Sequence, residues 1–249
     1  MELQNDIRNQ IIFKGEDISR HIQKYLSFDN AGDMYFDFEK ILPTPTDLKI
    51  KEDNNMTLGI QYFLNCKHEL LPLKDSELQQ IYDNDLVQNR YLVEDTNKIY
   101  NTFWSKKGST RAKILEQGIK GIMNILHYGY PSDYLWHIKN WGSSQNSTNA
   151  KFNFANKDEC SITFDTFSLA PFGIVEHLCK TYNNIDIKAQ YGSSIFGRRC
   201  GVMFTDNDNL YQITYNDFTK ESYDIAIDLY GCPKQLTFNK ETNNYEWME

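Results

Sequence analysis

The sequence predicts an α+β fold in which a split βαβ sheet is interrupted by a large helical insertion. Residues 10–45 show the pattern strand, helix, strand, and residues 160–191 repeat that order. The residues between them, 46–150, are mostly helical in pattern. We therefore predict that 1–45 and 151–249 form two halves of one domain, the second half carrying an extra C-terminal hairpin and helix.

The first half begins with a short apolar, β-prone run at residues 10–14. Asp17 is a predicted helix N-cap, and apolar residues follow it at helical spacing. Residues 34–42 alternate between apolar and polar side chains, which predicts a half-buried strand with Asp37 and Glu39 on its polar face.

Helical periodicity dominates the insertion. It predicts helices within residues 76–104, with a break, and a clear helix over residues 111–127. Gly118 and Gly121 either weaken that second helix or permit close packing against it. Residues 46–56 are polar, and we predict an irregular segment there.

The second half follows a polar loop at residues 142–150, which marks a boundary by its composition. Its alternating apolar residues predict several strands, and Pro171 suits the first turn of a helix. The predicted elements are strands at 151–154, 161–167 and 185–191, a helix from 171 to 182, a hairpin over 201–215, a helix over 223–230 and a strand over 235–238.

Charge and cysteine usage exclude several classes of protein. The formal net charge is −8, so the chain lacks the basic surplus that drives nucleic-acid binding. Five widely spaced cysteines without a CxxC pair disfavour a disulfide framework and a zinc knuckle. We find no apolar run of about 18 residues and no signal segment, so we expect no membrane association and a cytoplasmic location.

Two stretches of the sequence resemble a known family. Residues 36–45 read Phe-Asp-Phe-Glu-Lys-Ile-Leu-Pro-Thr-Pro, after Asn-Gln-Ile-Ile-Phe-Lys-Gly at 9–15. Asn140-Trp-Gly and the stretch 162–171 follow later in the same order. Over 9–48 and 134–205 the chain resembles the YubB-type ferredoxin-like family of phage- and plasmid-encoded proteins, which has no assigned reaction.

The resemblance implies a ferredoxin-like antiparallel sheet with helices on one face, an origin in a phage or mobile element, and a place in the cytoplasm of the host cell. It implies no activity. The second motif departs from the family pattern, because Ser143–Gln145 replace Thr-Lys-Trp, Phe167 replaces a Trp and Ala170 replaces a Pro. A lysine and two tryptophans of that motif are therefore absent.

The aromatic junction before the polar loop is the first candidate binding site. Tryptophan dominates binding hot spots, although a buried tryptophan can equally attach the insertion to the sheet. A following glycine would turn the chain there. The candidate residues are Trp136, Asn140, Trp141 and Gly142.

A second candidate lies between glycines at 192–201. This stretch is basic and could bind a phosphate or a carboxylate through Arg198 and Arg199. It lacks the Lys-Ser/Thr ending of a P-loop, and as a connection between strands it needs no ligand.

Three carboxylates form a weaker candidate for a metal site. Asp37, Glu39 and Asp165 on one sheet face could hold Mg²⁺ or Mn²⁺ for phosphodiester chemistry. The alternative is a solvated outer sheet face, which is the common case. We find no catalytic motif and no cofactor motif, so we expect no cofactor.

The function that these observations favour is a non-enzymatic binding protein of a phage or mobile element. It would engage a host or defence protein as an inhibitor or adaptor. One alternative is a single-stranded nucleic-acid module, because ferredoxin-like sheets can present aromatic side chains to bases. Another is a metal-dependent nuclease. Salt-dependent strand binding would support the first alternative, and Mn²⁺-dependent activity the second.

Overall fold

The computed structural model describes residues 6–182, 184–206 and 209–248. The chain divides into two compact units. Met1–Pro43 and His137–Glu249 form the first, called here the sheet unit. Thr44–Trp136 form the second, called here the helical unit.

The strands and helices alternate at both ends of the chain, with a helical stretch between. In chain order they are β1 (Asp6–Lys14), α1 (Ile18–Gln23), β2 (Leu26–Phe28), β3 (Met34–Phe36), α2 (Phe38–Ile41), α3 (Asn54–Cys66), α4 (Asp75–Tyr82), α5 (Asp85–Arg90), α6 (Thr96–Trp104), α7 (Gly108–Tyr128), α8 (Asp133–Asn140), β4 (Thr148–Asn156), β5 (Glu159–Phe167), α9 (Phe172–Thr181), β6 (Asp186–Ser193), β7 (Gly201–Asp206), β8 (Asn209–Thr214), α10 (Lys220–Tyr230), β9 (Leu236–Asn239) and β10 (Asn244–Trp247).

The main sheet is antiparallel and has six strands in the order β4-β5-β1-β6-β7-β8. β1 lies near its centre, with Ile11 opposite Ile162 of β5 and Ala189 of β6. Because β5 and β6 both run against β1, they are parallel to each other. The helix α9 connects them in sequence, so this α+β unit contains a βαβ crossover with another strand between its two strands.

Alternation along β1 gives the sheet two different faces. Ile7, Ile11 and Phe13 are buried on one face. Gln10 and Ile12 on the other face are partly exposed. The even-numbered positions of β1 therefore mark the more open face.

Helices pack on both faces of this sheet. α1 contacts β1, β4 and β5 and buries Ile18 and Ile22, whereas α9 contacts α2 and β8. α10 lies on the more open face at the end that carries Arg8, whose guanidinium carbon is 4.8 Å from the centre of the Tyr230 ring.

The predicted strand over residues 34–42 is wrong beyond Phe36. β3 is short and pairs with β2 in a separate two-stranded sheet. The Asp37 side chain accepts a hydrogen bond from the Glu39 N–H and caps α2. An aspartate at this position ends the extended chain, because its carboxylate satisfies a free donor of the helix.

The helical unit has its own core. Met56, Ile60 and Phe63 of α3 pack with Ile122 and Ile125 of α7. The helix α3 was not predicted from the sequence, although Asp53 caps it by accepting hydrogen bonds from the Asn55 and Met56 N–H groups. The region predicted as broken helix at 76–104 contains α4, α5 and α6, and α7 confirms the helix predicted over 111–127.

Gly59 and Gly118 show why α7 tolerates glycine. A Cβ atom on Gly118 would overlap the backbone of Gly59, and a Cβ atom on Gly59 would overlap the carbonyl oxygen of Ile114. Glycine therefore serves close packing of the two helices, which decides between the two explanations that the sequence left open.

Candidate binding sites of the sheet unit

Trp141 is part of the core of the sheet unit. It is 2% exposed, and its ring stacks on that of His137 with centroids 3.7 Å apart. The rings of Trp141 and Phe38 pack in a T-shaped arrangement with centroids 5.7 Å apart. Trp136 is also buried, in the helical unit. These two tryptophans therefore do not form an exposed aromatic hot spot.

Gly142 ends the segment that follows α8. Its φ is +83°, and a Cβ atom there would overlap the carbonyl oxygen of Ala170. A Cβ atom on Gly173 would likewise overlap the carbonyl oxygen of Asn140. Both glycines let the segments 140–142 and 170–173 approach backbone to backbone.

Arg198 and Arg199 lie in the turn between β6 and β7 and share one carboxylate. Arg198 Nε donates to Asp217 Oδ2 at 3.1 Å, whereas the Arg199 backbone N–H donates to Asp217 Oδ1 at 2.9 Å. The Arg199 side chain instead donates to the carbonyl oxygen of Ser168 at 2.6 Å. The two guanidinium groups therefore have different partners and do not form the joint anion clamp that the sequence suggests.

A cavity of about 430 Å³ brings together Gly142 and Arg199. Lys139 of α8 also lines it, as do residues of the β5–α9 loop and the buried-face side of β6 and β8. We call it the Arg199 cavity. Trp136, Asn140, Trp141 and Arg198 do not line it, so two of the six candidate residues are placed at this site.

The three candidate metal ligands are not assembled into a metal site. Asp37 caps α2 and accepts hydrogen bonds from Ser27 and Asn146. Glu39 belongs to α2 and not to a strand, so the predicted common strand face is wrong. Within residues 6–182, 184–206 and 209–248, no group of three His, Cys, Asp or Glu side chains could hold a metal ion.

Asp165 has a structural partner. Arg8 Nε donates to Asp165 Oδ1 at 3.0 Å, and Arg8 Nη2 donates to Oδ2 at 3.4 Å. The Asn149 side chain donates to the same carboxylate at 3.0 Å. This hydrogen bonding raises the pKa of Arg8 despite its partial burial.

The open sheet face is the second surface of interest. Strand register places two cross-strand rows there, one through Ile12, Lys188, Phe204 and Tyr211 and one through Gln10, Gln190, Val202 and Ile213. We use the name open sheet face for these eight residues. The rings of Phe204 and Tyr211 stack with centroids 5.8 Å apart.

A groove of about 720 Å³ lies on the open sheet face and is lined by six of its eight residues and by Asp228 of α10, whereas Tyr211 and Ile213 lie outside the lining. Tyr211 and Ile213 are 46% and 44% exposed. The β7–β8 hairpin was predicted from the sequence, but these side chains were not grouped. Alternation within each strand indicates which of its residues share a face. The hairpin register is needed as well, because it decides which of these residues lie side by side on the sheet.

Burial suppresses thiolate formation at two cysteines. Desolvation raises the pKa of Cys179 to about 11. Desolvation, together with the Asp217 carboxylate, raises the pKa of Cys200 to about 12. Neither environment is that of a reactive nucleophile, because nucleophilic cysteines have lowered pKa values.

Comparison with known proteins yields little. No protein-family model matches the chain, and no curated protein matches it. The protein api92 from Yersinia pseudotuberculosis, whose crystal structure is described with the family model DUF1281, aligns over 86% of this chain and 98% of its own. The identity is 12% and the TM-score 0.39, values at which the likeness carries no argument. In the described ranges no helix combines the length and apolar content that a membrane span requires.

Proposed function

We propose that the chain is a non-enzymatic binding protein that engages another protein through the open sheet face and the outer edge of β8. The observation that carries this proposal is the apolar cluster of the open sheet face. Ile12, Val202 and Phe204 are partly exposed, and Tyr211 and Ile213 are well exposed beside them. Exposed apolar patches of this kind mark protein interaction sites.

The edge of β8 argues for a polypeptide partner. β8 is the last strand in the sheet order, so alternate backbone N–H and C=O groups point away from β7. The strand Asn209–Thr214 contains no charged residue. Edge strands that avoid pairing usually carry charges or proline. An added strand would satisfy this edge while its side chains cover Tyr211 and Ile213.

We further propose that the sheet unit is ferredoxin-like and that the chain is a member of the YubB-type family. The support is that β1, α1, β4, β5, α9 and β6 occur in this chain order, with β2, β3 and α2–α8 inserted between α1 and β4, and that the strand order is β4-β5-β1-β6, an arrangement of two interleaved βαβ units. The family resemblance supports a phage or mobile-element origin and a cytoplasmic place of action. The partner would then be a host protein, and a defence protein is our preferred example.

The test combines capture with mapping. Tagged full-length chain is used to capture proteins from nuclease-treated host lysate, and amide hydrogen exchange of the complex is measured. We expect protection of β8 amides and a loss of capture of about tenfold or more in Ile213→Lys, which places a charge on the edge strand. Phe154→Ala is the matched control, because Phe154 is 61% exposed on β4 at the opposite edge.

Capture without protection of β8, or equal capture by wild type and Ile213→Lys, would contradict the proposal. The proposal also requires that the Phe154→Ala variant still captures the partner. The partner itself is identified by mass spectrometry of the captured protein.

A second candidate is single-stranded nucleic acid. The stacked pair Phe204–Tyr211 on an open sheet face, with Lys188 in the same row, is the observation that favours it. The net charge of −8 opposes it. Fluorescence anisotropy with labelled oligo-dT and oligo-U at about 50 and about 200 mM salt tests it, since phosphate contacts give a steep salt dependence.

A further inference from the structure

The Arg199 cavity lies on the opposite side of the sheet from the open sheet face. Tyr191, Gln212 and Thr214 line it, and these residues occupy the other alternation phase of β6 and β8 from Gln190 and Ile213. A ligand in this cavity would therefore leave the open sheet face unoccupied. The cavity is therefore separate from the surface of the proposed function.

Among the described residues, two cations of the cavity have no carboxylate that forms an ion pair with their side chains. Lys139 and Arg199 are its basic lining residues, and Asp217 is its acidic one. Asp217 is occupied by Arg198 Nε and by the Arg199 backbone N–H. Across the described residues, no carboxylate forms an ion pair with the side chain of Lys139 or Arg199.

Hydrogen bonds hold both the backbone and the guanidinium group of Arg199. Its backbone has φ +52°, a conformation that the hydrogen bond to Asp217 supports. Its Nη2 donates to the carbonyl oxygen of Ser168, a residue with φ +74°. Since a carbonyl takes up one donor and no charge, the guanidinium is positioned with further donors available for an anion.

The wall beside these cations is apolar. Ile7, Ala170 and Phe172 line the cavity together with Leu169. A volume of about 430 Å³ falls in the usual range for small-molecule sites, which combine an apolar lining with a few placed polar groups. An inorganic ion would leave most of this apolar wall uncovered.

A hydrogen-bond relay adds a neutral polar group. Gln212 Nε2 donates to the Tyr191 hydroxyl oxygen at 2.7 Å. The Tyr191 hydroxyl lies 3.0 Å from Thr214 Oγ1. Either hydroxyl can donate in this contact, and when Tyr191 donates, the Thr214 proton is left for a ligand oxygen.

We propose that the Arg199 cavity binds a small molecule with one anionic group, a carboxylate or a phosphate monoester, on an apolar body. Arg199 and Lys139 would pair with the anion, and Phe172 and its apolar neighbours would contact the body. Thr214 would donate to an oxygen of the ligand.

Isothermal titration calorimetry of the full chain tests this with three probes of similar size. Benzoate carries the carboxylate, phenyl phosphate carries the phosphate, and benzyl alcohol carries neither. We expect one of the anions to bind with a Kd below about 1 mM, and benzyl alcohol to bind at least about tenfold more weakly. The anion that binds more tightly identifies the charged group.

Two variants and a control locate the site. Arg199→Gln and Lys139→Gln should each weaken binding by about fivefold or more, with unchanged circular dichroism. Arg20→Gln makes the same charge change on the exposed side of α1 and should leave Kd unchanged. The absence of saturation by either anion at about 10 mM, or an equal loss in Arg20→Gln, would overturn the proposal.

Discussion

The indole Nε1 of Trp141 donates a hydrogen bond to the backbone carbonyl oxygen of Leu42 at 2.9 Å. The two residues are 99 positions apart in sequence, yet both belong to the sheet unit. This bond joins the segment that precedes the helical unit to the segment that follows it. Trp141 is therefore a structural contact between the two halves of the sheet unit.

Replacing Trp141 with phenylalanine should destabilise the sheet unit. The variant loses the hydrogen bond to Leu42 and leaves a void beside His137, so we expect the free energy of unfolding to fall by about 2 kcal/mol. Urea unfolding followed by circular dichroism measures it. Trp247→Phe is the control, because Trp247 is half exposed and should cost less than about 0.5 kcal/mol. Equal losses in both variants would argue against this role.

Gly142→Ala should lower the free energy of unfolding by more than the positive φ of residue 142 alone explains. The new methyl would overlap the Ala170 carbonyl oxygen, in addition to the cost of a positive φ. Gly32 has a similar φ of +89°, but a Cβ atom there meets nothing. We expect a loss of about 1 kcal/mol for Gly32→Ala and about 3 kcal/mol for Gly142→Ala by urea unfolding. Similar losses of unfolding free energy in the two variants would mean that the contact with the Ala170 carbonyl oxygen contributes nothing.

Gly118→Ala should destabilise the helical unit although alanine is the better helix former. The methyl would collide with the backbone of Gly59, so we expect a loss of about 2 kcal/mol in place of a gain of about 1 kcal/mol. Gly108→Ala is the control in the same helix, since a Cβ atom at Gly108 meets nothing. A thermal melt of each variant gives the comparison. A more stable Gly118→Ala variant would exclude tight α3–α7 packing.

Stability should fall as the pH rises above 9. The Cys200 thiol ionises near its ordinary pKa of 9.0 in the unfolded chain, whereas its folded pKa is raised to about 12. Between these values the unfolded chain binds fewer protons, so this contribution is complete below about pH 9 and is lost as the pH approaches 12.

Urea unfolding under reducing conditions, from about pH 8.5 to about pH 10.5, measures this effect. In Cys200→Ala the slope of stability against pH should be shallower by at most about 1 kcal/mol per pH unit. Cys232→Ala, at an exposed cysteine, should leave the slope unchanged. An unaltered slope in Cys200→Ala would show that this thiol does not contribute.

Local patterns predicted most strands and helices of the sheet unit. β5, β6, β7 and β8 lie where alternation placed strands, and α10 lies where helical spacing placed a helix. The prediction failed where two local patterns favour different structures for the same residues. Residues 37–42 continue the alternation of a strand, but Asp37 caps a helix instead, because a side chain that satisfies a free backbone donor outweighs a weak β pattern.

The candidate sites were harder to predict, because they depend on side chains that are distant in sequence. The sequence grouped Arg198 with Arg199 because they are neighbours, whereas the fold gives them different partners. It grouped Asp37 with Asp165 through an assumed common face that the structure lacks. It did not connect Lys139 with Arg199, which line one cavity although 60 positions separate them.

The sequence by itself determined the α+β class, the alternation that divides each sheet strand into a buried and an open face, and the acidic charge. These properties depend on short-range periodicity and on composition. Only the tertiary structure decided which residues share the Arg199 cavity and the open sheet face. The physical reason is that strand register and the close backbone approach at Gly142 and Gly173 are set by packing between segments distant in sequence, and no local pattern carries that information.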